Sequence, residues 1–554
     1  MEELNRILEI EKNLCAPGSY FETEEAEVLG EPMQVFKNRM PSLRSFLEMS
    51  AAHGDKEYLI FEDRRITYAD HFKAVVSVAK ALQEKYGVQK GDRVAILGAN
   101  SPEWIISFWA IISIGAIAVG QNGWWTADEI LYSLEDSKPK LMIGDVKRLV
   151  RLKGIEVPVP VVVMEDDFNT LTSYDPEAVL SIEPLDEDDP ACILYTSGTT
   201  GRPKGVVSSH RALNGAVQAQ FFHGLRAMQV RGVESPQSPA TMLTSPLFHG
   251  SGLTAGAIVT MAAGIKTVMM SGRFDPVEAA RLIEHEGITG WGPMDTIIRR
   301  FVKEGDARKF DLSGVLSIGN GGAPMPIYLQ DSIRECFPNA GDSLALAYGS
   351  TECGMIGAIN YGEELKWKPL SSGRPMPTVE LEIRDMNGNS VGENVDGEIF
   401  IRSPMVMLEY WQKPEETTKA LTKGRWLATG DFAKLEDGHL IINSRAKDII
   451  LRGAENVYPM EVEVRLEAHP GVAETAVIGI ESEEYGQEVK AVVVGHPGIS
   501  LDTDELAIWV GQTLAYFKVP TSWQLRSTPL PRNAVGKVMK HLLDESYENP
   551  FQED

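Results

Sequence analysis

Tyr195-Thr-Ser-Gly-Thr-Thr-Gly-Arg-Pro-Lys-Gly205 is a run of small hydroxyl and glycine residues that closes on a lysine. Glycines let successive backbone N–H groups turn inward as an anion nest, the hydroxyls of Thr196, Ser197, Thr199 and Thr200 add donors, and Lys204 adds a mobile positive charge. Such a loop wraps a polyphosphate. Its spacing differs from the Walker loop, G-x-x-x-x-G-K-[ST], because Val206 and Val207 follow Gly205. The loop therefore points to a nucleotide enzyme outside the P-loop NTPases. The apolar run Ala191-Cys-Ile-Leu194 before it and Val206-Val207 after it read as two strands of a hairpin, which argues against a flexible linker.

Strand-like runs alternate with amphipathic helical runs through the first 340 residues or so, as in Arg93-Val-Ala-Ile-Leu97 followed by a helix from Ser101. That alternation predicts an α/β protein of layered sheets. From about Glu380 the texture changes to short strands punctuated by turns, which predicts a small β-rich subdomain. After Ser444 comes a compact α+β tail: a helix from Pro459, strands over 476–480 and 489–494, and a helix with Leu506, Trp509, Val510 and Leu514 on one face. With no internal repeat or low-complexity linker, the join between body and tail falls at a short hinge near residues 445–448.

At 554 residues the chain exceeds the roughly 250 to 300 at which a single core stops growing, so at least two compact units are expected. A formal net charge of −26 argues against a nucleic-acid or anionic-membrane partner, which would need clustered positive charge. An acidic body that admits nucleotide must offset its own field with local lysines, arginines and a metal. The four cysteines are far apart and lack metal spacing, which fits a reducing compartment; with no basic n-region or apolar core at Met1, the expectation is a cytoplasmic protein. Residues 104–120 carry no charge over seventeen positions, yet Ser101-Pro102-Glu103 supplies a cap, an N1 proline and a first-turn acid. The expectation there is a buried core helix and no transmembrane segment.

Six further segments occur in a fixed order: Pro246-Leu-Phe-His-Gly-Ser-Gly252, Gly321-Gly-Ala-Pro324, Tyr348-Gly-Ser-Thr-Glu352, Trp426-Leu-Ala-Thr-Gly-Asp431, Ser444-Arg-Ala-Lys-Asp448 and Leu530-Pro-Arg-Asn-Ala-Val-Gly-Lys537. With the 195–205 loop, over nearly its whole length, the chain resembles the adenylate-forming superfamily of acyl-CoA synthetases, firefly luciferases and peptide-synthetase adenylation domains, and its acyl-CoA synthetase branch in particular. The resemblance implies an N-terminal AMP- and acyl-binding domain over 1–446, of layered α/β sheets with the β-rich subdomain, and a mobile C-terminal domain over 447–554.

The resemblance also implies site roles. Thr196, Ser197, Gly198, Thr199, Thr200 and Lys204 would meet the phosphates, and Mg2+ would sit between the phosphates and Glu352, with Thr196 close by. Gly321, Gly322, Ala323 and Pro324 would let adenosine lie against backbone and Tyr348 would cover its other face, with Gly349, Ser350 and Thr351 also in the ATP site; Asp431 would accept the ribose hydroxyls, helped by Arg445. His249, Gly252 and Gly321 would border the acyl group, and His249 has no general-base task because a carboxylic acid is already ionised at neutral pH. Segments around 248–253, Trp291 and 317–322 offer small and apolar residues for that group. Lys537 would reach between the carboxylate and the α-phosphate during adenylation. Lys447 would be the hinge residue that lets the C-terminal domain rotate, and Gly453 and Ala454 would then line the path of CoA. Two departures from the family pattern are Ser444, where Gly is common before the Arg, and Glu409 before Tyr410, where Gly is frequent.

The function so implied is an ATP-dependent ligase that activates a carboxylic acid, a medium- or long-chain fatty acid first, as acyl-AMP and transfers it to CoA, with ATP, Mg2+ and CoA as co-reactants. The alternatives are an aryl acid as substrate, a separate carrier protein as acceptor, or a luciferase-like adenylating enzyme. With 17 residues after Lys537, no carrier domain in cis is expected. A homodimer is implied only at family level.

Overall fold

The computed structural model describes residues 2–196, 202–322, 325–445, 448–453, 455–533 and 536–544. The two runs flanking the hydroxyl-rich loop form the predicted hairpin: Pro190–Thr196 pairs antiparallel with Lys204–Ser209, placing Lys204 opposite Thr196 and Val206 opposite Leu194. Among the described residues this hairpin belongs to a seven-stranded sheet. On one side Glu409–Tyr410 adds to Lys204–Ser209, with Tyr410 opposite Val206. On the other side, Pro190–Thr196 is followed by the parallel strands Ile117–Gly120, Arg93–Leu97, Leu141–Gly144 and Val161–Val163. Three of these read as continuous apolar runs because helices cover both faces of the sheet.

The uncharged run 104–120 divides into two elements. Ser101 caps the helix Pro102–Ser113 by accepting from the Trp104 N–H at 3.3 Å. Gly115, at a φ of 76°, then turns the chain into the strand Ile117–Gly120. The expected core helix is therefore real but shorter, and the remainder is a central strand. Trp104, Phe108, Trp109, Ile111 and Ile112 are essentially inaccessible to solvent, each contributing about 1.5–3 kcal/mol of apolar burial. No helix among the described residues is long and apolar enough to cross a membrane.

Among the described residues a second sheet has nine strands; its central members Ala240–Leu243, Gly290–Trp291, Ser317–Gly321 and Leu344–Tyr348 run parallel. The last two end side by side, with Gly321 opposite Ala347, so the chain segments leaving them share one rim. The predicted β-rich subdomain is, among the described residues, a five-stranded sheet containing Glu380–Arg384, Gly397–Arg402, Trp426–Glu436 and His439–Arg445. The C-terminal tail forms its own sheet around the hairpin Val472–Ser482/Gly486–Gly495, with Ser522–Arg526 parallel to the second arm. Its helices Pro459–Glu467 and Thr503–Gly511 bury Val462, Leu466, Leu506 and Val510 against Val477, Val489 and Val493. Leu514 lies past the end of the second helix yet packs on this same core.

Candidate active site

Thr196, the last residue of its strand, donates its hydroxyl to Glu352 Oε1 at 3.3 Å, and Tyr410 donates to the same oxygen at 3.2 Å. Glu352 stands in the turn after Leu344–Tyr348. That turn needs glycine at 349, since a Cβ there would lie 2.1 Å from the Met355 carbonyl oxygen. Ser350 anchors it by donating its backbone N–H to Cys353 Sγ and accepting at its carbonyl from the Met355 N–H at 2.9 Å; Thr351 is buried alongside. Glu352 Oε2 has no hydrogen-bond partner among the described residues.

Asp431 lies across from this carboxylate. Tyr348 donates its hydroxyl to Asp431 Oδ2 at 2.8 Å, Arg445 Nε approaches Oδ1 at 3.5 Å, and the two strands pair Asp431 directly with Arg445. Thr429 Oγ1 accepts from the Asp431 N–H and donates to the Ile399 carbonyl, so the side chain is aimed by its own turn. Desolvation raises the Asp431 carboxyl above the usual carboxylate range, against the pull of Arg445 and Tyr348.

Lys537 enters from the C-terminal tail. Its turn is closed by a bridge between Arg532 and Val538, and its backbone N–H donates to Asn533 Oδ1 at 2.9 Å. Desolvation, with the Arg445 charge, pushes its ammonium down to about 8, while Asp431 and Glu352 act in the opposite sense. Those two carboxylates, one in the turn after Leu344–Tyr348 and one within the strand Trp426–Glu436, therefore share one cleft with the lysine. His249 faces it too: burial and then Lys537 push its imidazole down to about 4. The Ser251 N–H donates to His249 Nδ1 at 3.3 Å, capping the short helix Gly250–Leu253, so the neutral ring carries its proton on Nε2. Gly252 is fixed by crowding, because a Cβ would fall 2.1 Å from the Pro246 carbonyl oxygen. The helix continues into a π-helical stretch, Thr254–Val259, a distortion common at functional sites.

Lys204 is less free than its sequence context suggests. It pairs with Glu416 and lies 5.1 Å from the centre of the Tyr410 ring, in a small cavity shared with Tyr132, Arg202 and Lys413. Trp291, read from the sequence as acyl-lining, is a core residue packed against Phe301 and Phe337, with its indole N–H donated to Thr244. Phe248 instead packs edge-on against the half-exposed Trp124 at 5.4 Å. Gly321 and Gly322 occupy the rim beside Tyr348. Gly453 donates its N–H to the Tyr485 carbonyl within the C-terminal sheet, and no contact among the described residues joins it to the cleft. Ser197, Gly198, Thr199, Thr200, Ala323, Pro324, Lys447 and Ala454 lie outside the described residues.

Three contributors escape a reading of local sequence. Tyr410 and Glu416 reach the site only because Glu409–Tyr410 pairs with the strand after the loop. Asn320, one residue before Gly321, is 5% exposed and has no hydrogen-bond partner for its amide among the described residues. For a divalent ion, no group of three or more His, Cys, Asp or Glu converges among the described residues. One carboxylate beside one hydroxyl suits Mg2+, which keeps several waters and takes phosphate oxygens in place of a protein cage.

The arrangement coincides with a known family. Residues 46–411 match the AMP-binding enzyme family, and residues 461–537 match the AMP-binding enzyme C-terminal domain. The chain belongs to the AMP-binding enzymes. Among AMP-binding enzymes it is 31% identical to the long-chain-fatty-acid–CoA ligase of Bacillus subtilis (strain 168), over 92% of this chain and 95% of that enzyme. The fold superposes on the anthranilate CoA ligase AuaEII in complex with anthranoyl-AMP with a TM-score of 0.82 at 26% identity, covering 91% of this chain and 96% of that one. It also superposes on ATP-bound MatB from Rhodopseudomonas palustris, with a TM-score of 0.79 at 27% identity over 91% of this chain and all of that one.

Proposed function

We propose that the chain, an AMP-forming acid–CoA ligase, activates a medium- or long-chain fatty acid. In the first step a carboxylate oxygen attacks the α-phosphorus of ATP and the bond to pyrophosphate breaks, leaving acyl-AMP. In the second the CoA thiol, losing its proton, attacks the acyl carbon and AMP departs, leaving the thioester. Several negative charges crowd together in the first step, so its barrier is largely electrostatic.

The observation that carries the assignment is the convergence of Lys537, Arg445 and two carboxylates on one cleft. Lys537 brings a full positive charge to the carboxylate and α-phosphate. Asp431 accepts the ribose hydroxyls while Tyr348, tied to it, covers the base. Glu352, with Thr196 beside it, would hold Mg2+, which neutralises phosphate charge when bound. Neutral His249 donates from Nε2 and leaves the incoming carboxylate ionised. Thioester formation needs Lys537 withdrawn, and rotation of the 447–554 unit at Lys447 would present Gly453 and Ala454 to the CoA arm.

The fatty-acid preference is supported by likeness to the Bacillus subtilis ligase and by the small, apolar residues around 248–253 and 317–322. Likeness to the anthranilate ligase favours an aryl acid as the second reading. A panel of straight-chain acids of graded length, with benzoate and anthranilate, decides between them by pyrophosphate release and thioester formation with free CoA. Turnover rising with chain length is expected. Turnover confined to the aryl acids contradicts the fatty-acid reading, and acid-dependent pyrophosphate release without thioester contradicts CoA as acceptor.

A further inference from the structure

The helix Asp295–Lys303 belongs to the body of the protein, yet its Arg299 reaches the C-terminal tail. Arg299 Nε donates to Asp295 Oδ2 at 2.7 Å, one turn earlier, and a terminal nitrogen is bonded to the Tyr328 hydroxyl. The other terminal nitrogen faces Glu467 Oε2 at 3.7 Å, on the helix Pro459–Glu467. Arg299 and Glu467 are 15% and 16% exposed, so water screens the contact only in part.

The same two helices also hold the turn that carries Lys537. Thr296, three residues before Arg299, packs so closely on Gly536 that a Cβ there would lie 2.6 Å from its side chain. One turn before Glu467, Glu463 pairs with Lys540 at 2.6 Å and accepts from the Val477 N–H at 2.8 Å. Arg532 donates to the Gly536 carbonyl at 2.8 Å and pairs with Glu474. Thr296 and Arg299, neighbours on one helical face, thus touch both the lysine turn and the helix that braces it.

We propose that Arg299 is a positioning residue that seats the C-terminal tail on the body, so that Lys537 stands in the cleft for adenylation and not for thioester formation. The contact suits a seat that must also release. Desolvation pushes the Glu467 carboxyl up to about 7; Arg299 and Arg532 oppose this, and Glu463 and Asp295 add to it. A buried ion pair so poised gains little net energy over separated, hydrated partners, whereas removing one partner leaves the other buried and uncompensated and costs far more than the intact pair contributes.

The inference rests on the two-step ligase reading, and its test separates the two. In the full-length chain, Arg299→Met and Glu467→Gln are assayed for acid-dependent ATP–pyrophosphate exchange and, separately, for conversion of synthetic acyl-adenylate and CoA to thioester. Exchange is expected to fall about 10- to 100-fold in Arg299→Met while acyl transfer stays within about twofold. Adding Glu467→Gln to Arg299→Met should cost nothing more, because the two changes remove one contact. Equal loss in both half-reactions, or loss in neither, overturns the proposal. Should the wild-type chain form no thioester, the CoA reading fails and exchange alone decides: unchanged exchange in Arg299→Met refutes the seating role. Arg299→Lys, which keeps the charge and loses the planar fork, serves if Arg299→Met does not fold, with a smaller loss of exchange expected and no loss counting against the role.

Discussion

The cleft is built from two regions of opposite character. Its floor is wired in place: Thr196 and Tyr410 share one oxygen of Glu352, Tyr348 donates to Asp431, and Asp431 sits opposite Arg445 in a strand pair. Lys537 comes from the other region, with no hydrogen bond to its ammonium among the described residues, on a turn held against the body by Thr296 and, through Glu467, by Arg299. Under the proposed two-step reading, a fixed floor would bind and orient nucleotide in both steps, whereas a charge brought by a separable unit would serve one step and then leave. On that reading the contrast turns on electrostatic preorganisation: the floor would hold one geometry through both steps, and the lysine would have its geometry only when seated.

The largest effect that would sharpen the contrast is expected from Lys537→Ala. Pyrophosphate exchange should fall by about 10²- to 10³-fold, as for loss of one donor to a transition-state oxyanion, while thioester formation from supplied acyl-adenylate persists. A floor residue should behave differently. Asp431→Ala removes the proposed ribose acceptor and leaves the Tyr348 hydroxyl buried without its partner, a cost of about 1–3 kcal/mol that should appear as a raised KM for ATP, and both half-reactions should suffer. Comparable sparing of the second step in Asp431→Ala would erase the distinction.

The lysine should also impose a pH limb that the floor does not. Its ammonium titrates near 8 in the free cleft, so kcat/KM for adenylation should fall about tenfold per unit as pH rises above 8. The released lysine keeps its proton to about 10.4, so between the two values the seated form binds fewer protons and gains stability with rising pH even as its charge is lost. Lys537→Arg should abolish that limb in a pH–rate profile. The smallest effect is expected of Tyr410→Phe, which removes one of two donors to Glu352: about 0.5–1.5 kcal/mol, seen as a modest rise in the Mg2+ concentration needed for exchange.

Much of this design is legible in the sequence where local pattern and chemistry coincide. The hairpin is plain because apolar runs flank a loop of glycines and hydroxyls, and the β-rich subdomain because turn residues recur at short intervals. Residues 104–120 mislead because a helix and a central parallel strand are equally apolar, and nothing local marks Gly115 as the turn between them. The pairing of Lys204 with Glu416, and that of Arg299 with Glu467, leave no trace in composition or periodicity, since each joins residues more than 150 positions apart that only the folded topology brings together. Trp291 fails for the complementary reason: an aromatic near a pocket-forming strand is as readily core as lining, and here the core takes it.

The most direct measurement is a crystal structure of the chain with Mg2+ and a non-hydrolysable ATP analogue. The triphosphate is expected between Thr196 and Lys537, the metal on Glu352 and the ribose hydroxyls on Asp431. A nucleotide bound elsewhere, or bound there with Lys537 seated and making no contact to the α-phosphate or the carboxylate site, would contradict it.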